Sequence, residues 1–158
     1  MDDFKHIRVG VGLVIFRDNQ VLLQKRKGTH ASGTFCCPGG HLEKWESFED
    51  AARRETKEEA GSQLLYTKPQ LWTTVNTRFK NEDKHYVVVL MVSKWGSGEP
   101  IITEPDKCES WGWYDWDSLP DPLIQGLHIV KTRQLNPIKH YYELQDKKES
   151  QFQLYPLG

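Results

Sequence analysis

Hydrophobic residues near the start of the chain fall into two short runs that favour β-strands. The runs cover residues 9–16 (VGVGLVIF) and 21–25 (VLLQK), and the polar residues 17–20 separate them. Two such runs around a short polar turn are typical of a β-hairpin. A loop rich in turn residues follows, and residues 35–37 form a short extended piece that the PGG sequence at 38–40 is expected to stop.

Residues 47–61 carry the start and stop signals of an α-helix. Ser47 is a suitable N-cap, with Asp50 three residues later as in a weak capping box, and Gly61 stands where a C′ glycine belongs. We therefore predict a helix that begins after Ser47 and ends before Gly61.

Strand signals return after this helix. Residues 71–79 and 85–92 predict two strands around the polar turn KNEDK, and residues 111–116 (WGWYDW) predict a short strand that leads into a turn. Pro122 is placed to open a last helix that runs to about Arg133.

The pattern shows no repeat and no domain boundary. A chain of 158 residues is long enough for one hydrophobic core, so we expect one domain over residues 1–158, with 136–158 as a C-terminal extension. Strands that precede, separate and follow two helices favour the α/β class with a mixed sheet.

Composition excludes several kinds of partner. The chain has 21 basic and 22 acidic residues and a formal net charge of −1, which gives no general attraction to a nucleic acid polymer or an anionic membrane. No apolar run approaches the roughly 20 residues that span a bilayer, and the start MDDFKHIR lacks the apolar core of a signal peptide.

The three cysteines are predicted to be free thiols. Cys36 and Cys37 are adjacent and Cys108 is alone, which is a poor framework for disulfides, and no paired Cys-x-x-Cys or His-x-x-x-His spacing indicates zinc. Free thiols persist in reducing compartments, so we expect a cytoplasmic protein.

The carboxylates of the predicted helix lie on an unexpected side. At roughly 100° per residue, Glu59 falls about 40° and Glu58 about 60° from Glu55. Ala51 and Ala52 lie on that same side, so the carboxylates continue the stripe of small residues. Glu55 and Glu59 repel each other as an i,i+4 pair, and acids in the last turn of a helix are disfavoured by roughly 0.3–1 kcal/mol.

Two explanations fit these acids. One is a solvated surface helix with i,i+4 salt bridges, such as Arg54 with Glu58. The other is a bound divalent cation, because Mg²⁺ and Mn²⁺ prefer oxygen ligands and cancel the repulsion. Mg²⁺ usually binds through one or two carboxylates together with substrate phosphates. The unfavourable placement of the acids favours the cation, and with it a phosphorylated substrate.

The spacing of this segment resembles the Nudix box, G-x5-E-x7-R-E-U-x-E-E-x-G-U, where U is aliphatic. Gly40 is followed after five residues by Glu46 and after seven more by RETKEEAG at 54–61. Seven fixed positions match by chance about once in a few hundred million starts. The chain departs from the pattern at Thr56 and Ser62, which occupy the two U positions, and Trp45 stands where many relatives have glycine.

The resemblance extends over roughly residues 8–130. KRKG, PGGHLE, HYVVVLM and EPDKCESWGWYDWDSLPDPL look like the MutT-type branch, in particular its eukaryotic and plant nucleotide-sanitising members. It implies an α/β/α sandwich in which the box forms a loop–helix–loop beside the mixed sheet. It also implies Mg²⁺- or Mn²⁺-dependent hydrolysis of a nucleoside triphosphate, such as an oxidised purine or dCTP-like nucleotide, to the monophosphate and pyrophosphate.

Other activities and partners stay open. The same box also occurs in hydrolases of other nucleoside diphosphate derivatives such as ADP-ribose, which is a second hypothesis. A third hypothesis is a nucleotide-binding sensor without catalytic activity. The intact Arg54-Glu55 and Glu58-Glu59 pairs argue against the sensor. A homodimer is implied by the resemblance alone.

The resemblance assigns roles to the box residues. Glu55, Glu58 and Glu59 are the expected metal ligands, and Glu58 or Glu55 could instead activate the attacking water. Arg54 is expected to pair with Glu46 and hold the loop.

A second group of residues is expected to contact the substrate. Arg26 is a candidate for the phosphates, and a backbone carbonyl of Gly39 or Gly40 could add an oxygen ligand. His41 and Leu127 are candidates for the substrate pocket.

The base-binding surface is less well specified. Close relatives have a tryptophan just before the last helix, where this chain has Gln125. Phe35, Trp111 and Trp113 are alternative rings for stacking. His85 and Tyr86 are assigned to sheet packing.

Overall fold

The computed structural model describes residues 6–28 and 30–154, and this part of the chain contains eight β-strands and three α-helices. Short 3₁₀ helices follow the sixth strand (Lys80–Glu82) and the eighth (Trp116–Ser118). In chain order the strands and helices are β1 (Arg8–Arg17), β2 (Gln20–Arg26), β3 (Phe35–Cys36), β4 (Gly39–His41), α1 (Phe48–Ala60), β5 (Leu65–Tyr66), β6 (Gln70–Phe79), β7 (Lys84–Ser97), β8 (Cys108–Asp115), α2 (Gln125–Thr132) and α3 (Pro137–Leu154).

One mixed sheet connects all of these strands. β1 lies between β2 and β7, β8 extends the sheet beyond β2, and β6 extends it beyond β7. The β1–β7 pair is parallel, and the other strand pairs in the described residues are antiparallel. The predicted α/β class with a mixed sheet is confirmed.

Alternation along the strands gives the sheet two apolar faces. Side chains of β1 point alternately to the two sides, so Val11, Leu13 and Ile15 join one core and Val14 and Phe16 join the other. The first core includes the small residues of α1, and the second includes residues of α2 and α3. Helices therefore cover both faces, and the expected α/β/α sandwich is confirmed.

The last predicted helix begins later than expected. α2 starts at Gln125, whereas the sequence placed its start at Pro122. The N–H of Phe35 donates to the oxygen of Pro122 (2.9 Å), and the N–H of Ile124 donates to the oxygen of Phe35 (2.9 Å). Residues 122–124 therefore pair with β3, and the helix can form only after this pairing ends.

The PGG sequence does not end the extended chain. After Pro38 the backbone forms β4, where Gly39 pairs with Gly12 and His41 pairs with Gly10 of β1. A Cβ at Gly39 would lie 2.4 Å from the oxygen of Val11, so this close pairing requires glycine.

Most of the proposed C-terminal extension within the described residues is helical. α3 starts at Pro137, and the side chain of Asn136 accepts from the N–H groups of Ile138 (2.9 Å) and Lys139 (3.1 Å). Asn followed by Pro is a helix-start signal, and it sets the start of α3. Tyr141 of α3 is buried in the core on the face of the sheet that α2 also covers. None of the described helices is long and apolar enough to cross a membrane.

Candidate active site

α1 presents the acidic residues to the edge of the sheet. The Ser47 hydroxyl accepts from the N–H of Asp50 (3.0 Å), and the N–H of Gly61 donates to the oxygen of Lys57 (3.0 Å). Gly61 has a φ of 90°, which favours glycine. Both predicted caps are confirmed, and they fix the helix phase that carries Glu55 and Glu59 toward the sheet.

Arg54 joins the loop before α1 to the helix itself. Its Nε donates to Oε1 of Glu46 (2.5 Å) and its Nη2 donates to Oε2 (3.0 Å), which is a two-pronged ion pair. Nη2 also donates to the backbone oxygen of His41 (3.0 Å). The hydrogen bonds from Arg54 hold the pKa of Glu46 below its usual value. The predicted Arg54–Glu46 pair is present and ties the loop in place.

Two departures from the box pattern are accommodated locally. Trp45 has a φ of 73°, a left-handed conformation that favours glycine, and its side chain is 91% exposed. Thr56 is fully buried, and its hydroxyl donates to the backbone oxygen of Ala52 (2.7 Å). The hydroxyl is therefore satisfied within the core, and Thr56 occupies the aliphatic position without an unpaired polar group.

Glu59 is held by two neutral donors. Its Oε1 accepts from the N–H of Gly39 (3.1 Å), and its Oε2 accepts from the side-chain amide of Gln24. Burial raises the pKa of Glu59 to about 7, although these hydrogen bonds oppose the rise. Gln24 was missed by sequence reasoning, although one polar residue in the apolar run VLLQ was a signal.

Glu55 lies against the glycine turn. A Cβ at Gly40 would lie 2.3 Å from the Glu55 carboxylate, so this approach requires glycine. Oε1 of Glu55 accepts from Nη1 of Arg54 (2.8 Å), and the side chain is 14% exposed. Burial raises the pKa of Glu55, and Arg54 opposes this shift.

Glu58 has a different environment. Its side chain is 54% exposed, and Oε2 accepts weakly from Nη1 of Arg54 (3.4 Å). Among residues 6–28 and 30–154, no group of three or more His, Cys, Asp or Glu side chains is gathered closely enough to hold a metal ion. Two carboxylates such as those of Glu55 and Glu59 suffice for Mg²⁺, which takes one or two carboxylates and completes its shell with water and phosphates. The role of Glu58 as a third ligand stays a prediction.

The carboxylates open into a cavity of about 520 Å³. The residues expected at the metal and the substrate lie around this one space, whereas Glu46 and Arg54 stand behind it as a support. The predicted residues that line the cavity are Arg26, Gly39, Gly40, His41, Glu55, Glu58, Glu59 and Leu127.

One face of the sheet forms a wall of this cavity. Gly10 pairs with Val88 and Gly12 pairs with Leu90, and all four residues line the space. A Cβ at Gly12 would lie 3.0 Å from Sγ of Cys37 and 3.1 Å from Leu90, so the glycine leaves space for these two side chains. Leu127 of α2 also lines the cavity. This part of the wall is apolar.

The two ends of the cavity differ in charge. We name the part around Gln24, Arg26, Glu55, Glu58 and Glu59 the acid end. We name a second part the basic–aromatic end, and its residues are Arg8, His30, His41, Phe79, Lys84 and Tyr86.

Ring contacts organise the basic–aromatic end. The rings of His41 and Tyr86 stack at 5.6 Å with an interplanar angle of 14°, and His30 meets Phe79 edge-on at 4.3 Å. Burial, followed by the charge of Arg8, lowers the pKa of His41. Tyr86, which the sequence assigned to sheet packing, does pack against the rings of His41 and Phe79, and it also lines the cavity.

The rings proposed for base stacking lie elsewhere. Phe35 packs edge-on against Tyr114 (5.5 Å) in the core beneath α2. Trp111 and Trp113 pack on the opposite core, and Arg17 lies 4.1 Å above the Trp113 ring. None of these three tryptophan and phenylalanine rings lines the cavity, so the stacking prediction was wrong.

Gln125 binds the protein rather than facing the cavity. Its Oε1 accepts from the N–H of Arg78 (2.6 Å), and its Nε2 donates to the oxygen of Arg78 (3.1 Å). These two bonds fasten the start of α2 to the sheet-edge strand β6. Gln125, which stands where the resemblance implies a tryptophan, therefore has a structural role in this chain.

Sequence reasoning also missed the cavity positions of the thiols and Lys107. Cys36, Cys37 and Cys108 are free and buried, as expected for free thiols, and all three line the cavity. Burial raises the pKa of Cys36 to about 12, so this thiol stays protonated. Lys107 also lines the cavity and forms an ion pair with Glu104 (2.9 Å).

The fold and the site define the class of the protein. It is an α/β enzyme whose acidic helix α1 lines a cavity large enough for a nucleotide. A family model described as NUDIX domain matches residues 6–134, and the chain therefore belongs to the Nudix family. It is a Nudix hydrolase, of the kind that cleaves nucleoside diphosphates linked to a further group, X. Such hydrolases generally use divalent metal ions such as Mg²⁺.

Known proteins similar to this chain support that placement. A solved structure, "MutT NUDIX hydrolase from Burkholderia pseudomallei", is 35% identical, has a TM-score of 0.73, and is matched over 78% of this chain and 95% of that one. An ADP-ribose pyrophosphatase of Methanocaldococcus jannaschii is 29% identical over 81% of this chain and 73% of its own length. An NAD-capped RNA hydrolase NudC of Chromobacterium violaceum is 28% identical over 68% of this chain, which spans 38% of that protein.

Proposed function

We propose that this Nudix hydrolase converts a nucleoside triphosphate into the monophosphate and pyrophosphate, as in the MutT-type branch. One observation carries the proposal: Glu55 and Glu59 open into the same cavity as the apolar wall that includes Leu127. The volume of about 520 Å³ is in the range of ligand pockets. The resemblance to eukaryotic and plant nucleotide-sanitising members supports a modified nucleotide, such as an oxidised purine or dCTP-like substrate.

Glu55 and Glu59 are the residues that would hold Mg²⁺ or Mn²⁺. The bound cation supplies neutralising charge on the phosphate oxygens and a water of lowered pKa. The Arg54–Glu46 pair keeps the loop and the backbone of Gly39 and Gly40 in place behind the ligands. Glu58 is the most exposed of the three acids, which suits the role of general base.

Basic residues near the acid end are placed for the phosphates. Arg26 acts electrostatically on Glu59, and Glu59 acts on Lys107, so both cations lie near this carboxylate. Arg26 also donates to the backbone oxygen of His30 (2.8 Å), which fixes its position on the cavity wall. These cations would offset phosphate charge that the carboxylates repel.

A second candidate substrate is ADP-ribose or a related nucleoside diphosphate with a second sugar. The basic–aromatic end favours it, because a substrate with two ends would occupy both ends of the cavity. Arg8 lines the cavity, where its guanidinium would contact a polar group of the substrate. The similarity to the ADP-ribose pyrophosphatase of Methanocaldococcus jannaschii points the same way.

A panel of nucleotides with Mg²⁺ and analysis of the products separates the two candidates. Pyrophosphate and a monophosphate from a triphosphate are expected under the first proposal. AMP and ribose 5-phosphate from ADP-ribose, without triphosphate turnover, would replace it by the second. Binding of nucleotides without hydrolysis would contradict both.

Two further expectations belong to this proposal. A homodimer follows from the resemblance, and light scattering of the purified protein should give twice the mass of the chain. A cytoplasmic location fits three free thiols, which persist in reducing compartments. Fractionation of cells that produce the protein tests the location.

A further inference from the structure

Gln24 is a buried polar side chain that directly follows the apolar run of β2. It follows Val21, Leu22 and Leu23 in β2, and only 4% of its surface is exposed. A buried amide that lacks a hydrogen-bond partner destabilises the protein. The partner of the Gln24 Nε2 group is the carboxylate of Glu59.

Gln24 and Gly39 together restrict how the Glu59 carboxylate can turn. Gly39 donates its N–H to Oε1 (3.1 Å), and Gln24 donates to Oε2. Because the two donors bind different oxygens, rotation of the carboxylate breaks at least one hydrogen bond. A carboxylate has about four lone-pair sites, so half of them remain for a cation.

The donors to Glu59 are neutral, in contrast to the donor to Glu55. Glu55 accepts from the Arg54 guanidinium, whose positive charge opposes a nearby cation. Gln24 holds Glu59 without adding charge. A lysine or an arginine at position 24 would instead compete with a metal ion for the same carboxylate.

We propose that Gln24 is a positioning residue that holds Glu59 in the orientation in which it binds the divalent cation. This inference rests on the metal-binding role given to Glu59 in the proposed function. Loss of a hydrogen bond that orients a metal ligand typically weakens metal binding by about 10–100-fold. We expect a loss of that size when the Gln24 amide is removed.

The test measures Mn²⁺ affinity by electron paramagnetic resonance without any nucleotide. Gln24→Met keeps an unbranched side chain of similar length and removes the donor, and it should bind Mn²⁺ about 10–100-fold more weakly than the wild type. Gln20→Met is the matched control, because Gln20 lies on the same strand and outside the cavity. It should bind Mn²⁺ as the wild type does.

A double-variant cycle separates positioning from a general effect on the protein. In the Glu59→Gln background, Gln24→Met should cause little further loss of Mn²⁺ affinity, because the oriented ligand is already gone. An equal loss in both backgrounds would show that Gln24 acts independently of Glu59 and would overturn the inference. Unchanged Mn²⁺ affinity in Gln24→Met would overturn it as well.

Gln24→Asn provides a second measurement if Gln24→Met does not fold. It keeps the amide but shortens the reach, so it should also weaken Mn²⁺ binding, and wild-type affinity in it would contradict the inference. If the wild type takes up no Mn²⁺, both the metal-binding role of Glu59 and the positioning role of Gln24 are refuted. If the wild type binds Mn²⁺ but hydrolyses no nucleotide, the proposed function fails and the inference about Gln24 is still decided by the affinities.

Discussion

The acid end and the basic–aromatic end of the cavity are assembled in different ways. Apart from Gln24 and Arg26 of β2, the residues that define the acid end (Glu55, Glu58 and Glu59) lie on one helix, α1. The basic–aromatic end gathers side chains from β1, β4, β6, β7 and the loop after β2. One end is therefore a local structure, whereas the other exists only when the sheet has formed.

The two ends also differ in how their charges are compensated. At the basic–aromatic end, Glu82 contacts both His30 and Lys84, so some cations there have a protein partner. At the acid end, burial raises the pKa of Glu55 and of Glu59, and the charges of Arg54 and Arg26 oppose these shifts. An added cation would therefore stabilise the charged carboxylates of the acid end.

The largest expected effect follows from removing a ligand at the acid end. Glu59→Gln keeps the shape of the side chain but loses the negative charge, and turnover should fall by about 10²–10⁴-fold. Steady-state kinetics at saturating Mg²⁺ measure this loss, with circular dichroism as the check on folding. Turnover near that of the wild type would refute the ligand assignment.

Arg54→Lys should have the next largest effect. Lysine cannot reproduce the two-pronged pair with Glu46, so the loop before α1 loosens and kcat should fall by roughly 10–100-fold. Arg53→Lys is the matched control, because Arg53 is an exposed neighbour paired with Glu49 (3.2 Å). Equal rates in the two variants would show that the Arg54–Glu46 pair does not support the site.

Changes at the basic–aromatic end should act on binding rather than on chemistry. Arg8→Ala should raise KM by about 3–10-fold and leave kcat nearly unchanged, because Arg8 is not among the residues assigned to the metal or to the reacting phosphate. The increase should be larger for ADP-ribose than for a triphosphate if the second sugar reaches this end. A fall in kcat at constant KM would contradict the division of the cavity into two ends.

The smallest effect is on stability without metal. The pKa of Glu59 is raised from 4.5 to about 7 in the folded protein. Between these pH values the folded state binds more protons than the unfolded state, so stability falls as pH rises, by on the order of 1–3 kcal/mol. Urea unfolding in EDTA at pH 5 and at pH 7 measures the loss.

Glu59→Gln is the control for this pH dependence. The amide does not titrate, so the variant should show a smaller loss between pH 5 and pH 7 and should be at least as stable as the wild type at pH 7 without metal. The same slope in both proteins would assign the pH dependence to another group.

Much of the acid end could be predicted from the sequence because its determinants are close together. Ser47 and Gly61 fix the ends of α1, and the helical period then fixes the direction of Glu55 and Glu59. The Arg54–Glu46 pair was predictable for the same reason, since both residues belong to one loop and helix.

The rest of the site depends on contacts that a linear reading does not contain. Tyr86 and Arg8 face the cavity because β1 and β7 pair in parallel with a particular register, and no local signal specifies that register. Gln125 binds the backbone of Arg78, which is distant in sequence. The late start of α2 has a similar cause, because residues 122–124 just before it pair with β3.

Calorimetric titration with Mg²⁺ in the presence of a non-hydrolysable nucleoside triphosphate tests the central claim most directly. The wild type should take up the metal, and the Glu55→Gln, Glu59→Gln double variant should not. Absence of Mg²⁺ and Mn²⁺ uptake by the wild type, with and without the nucleotide, would contradict the account, as would equal uptake by the double variant.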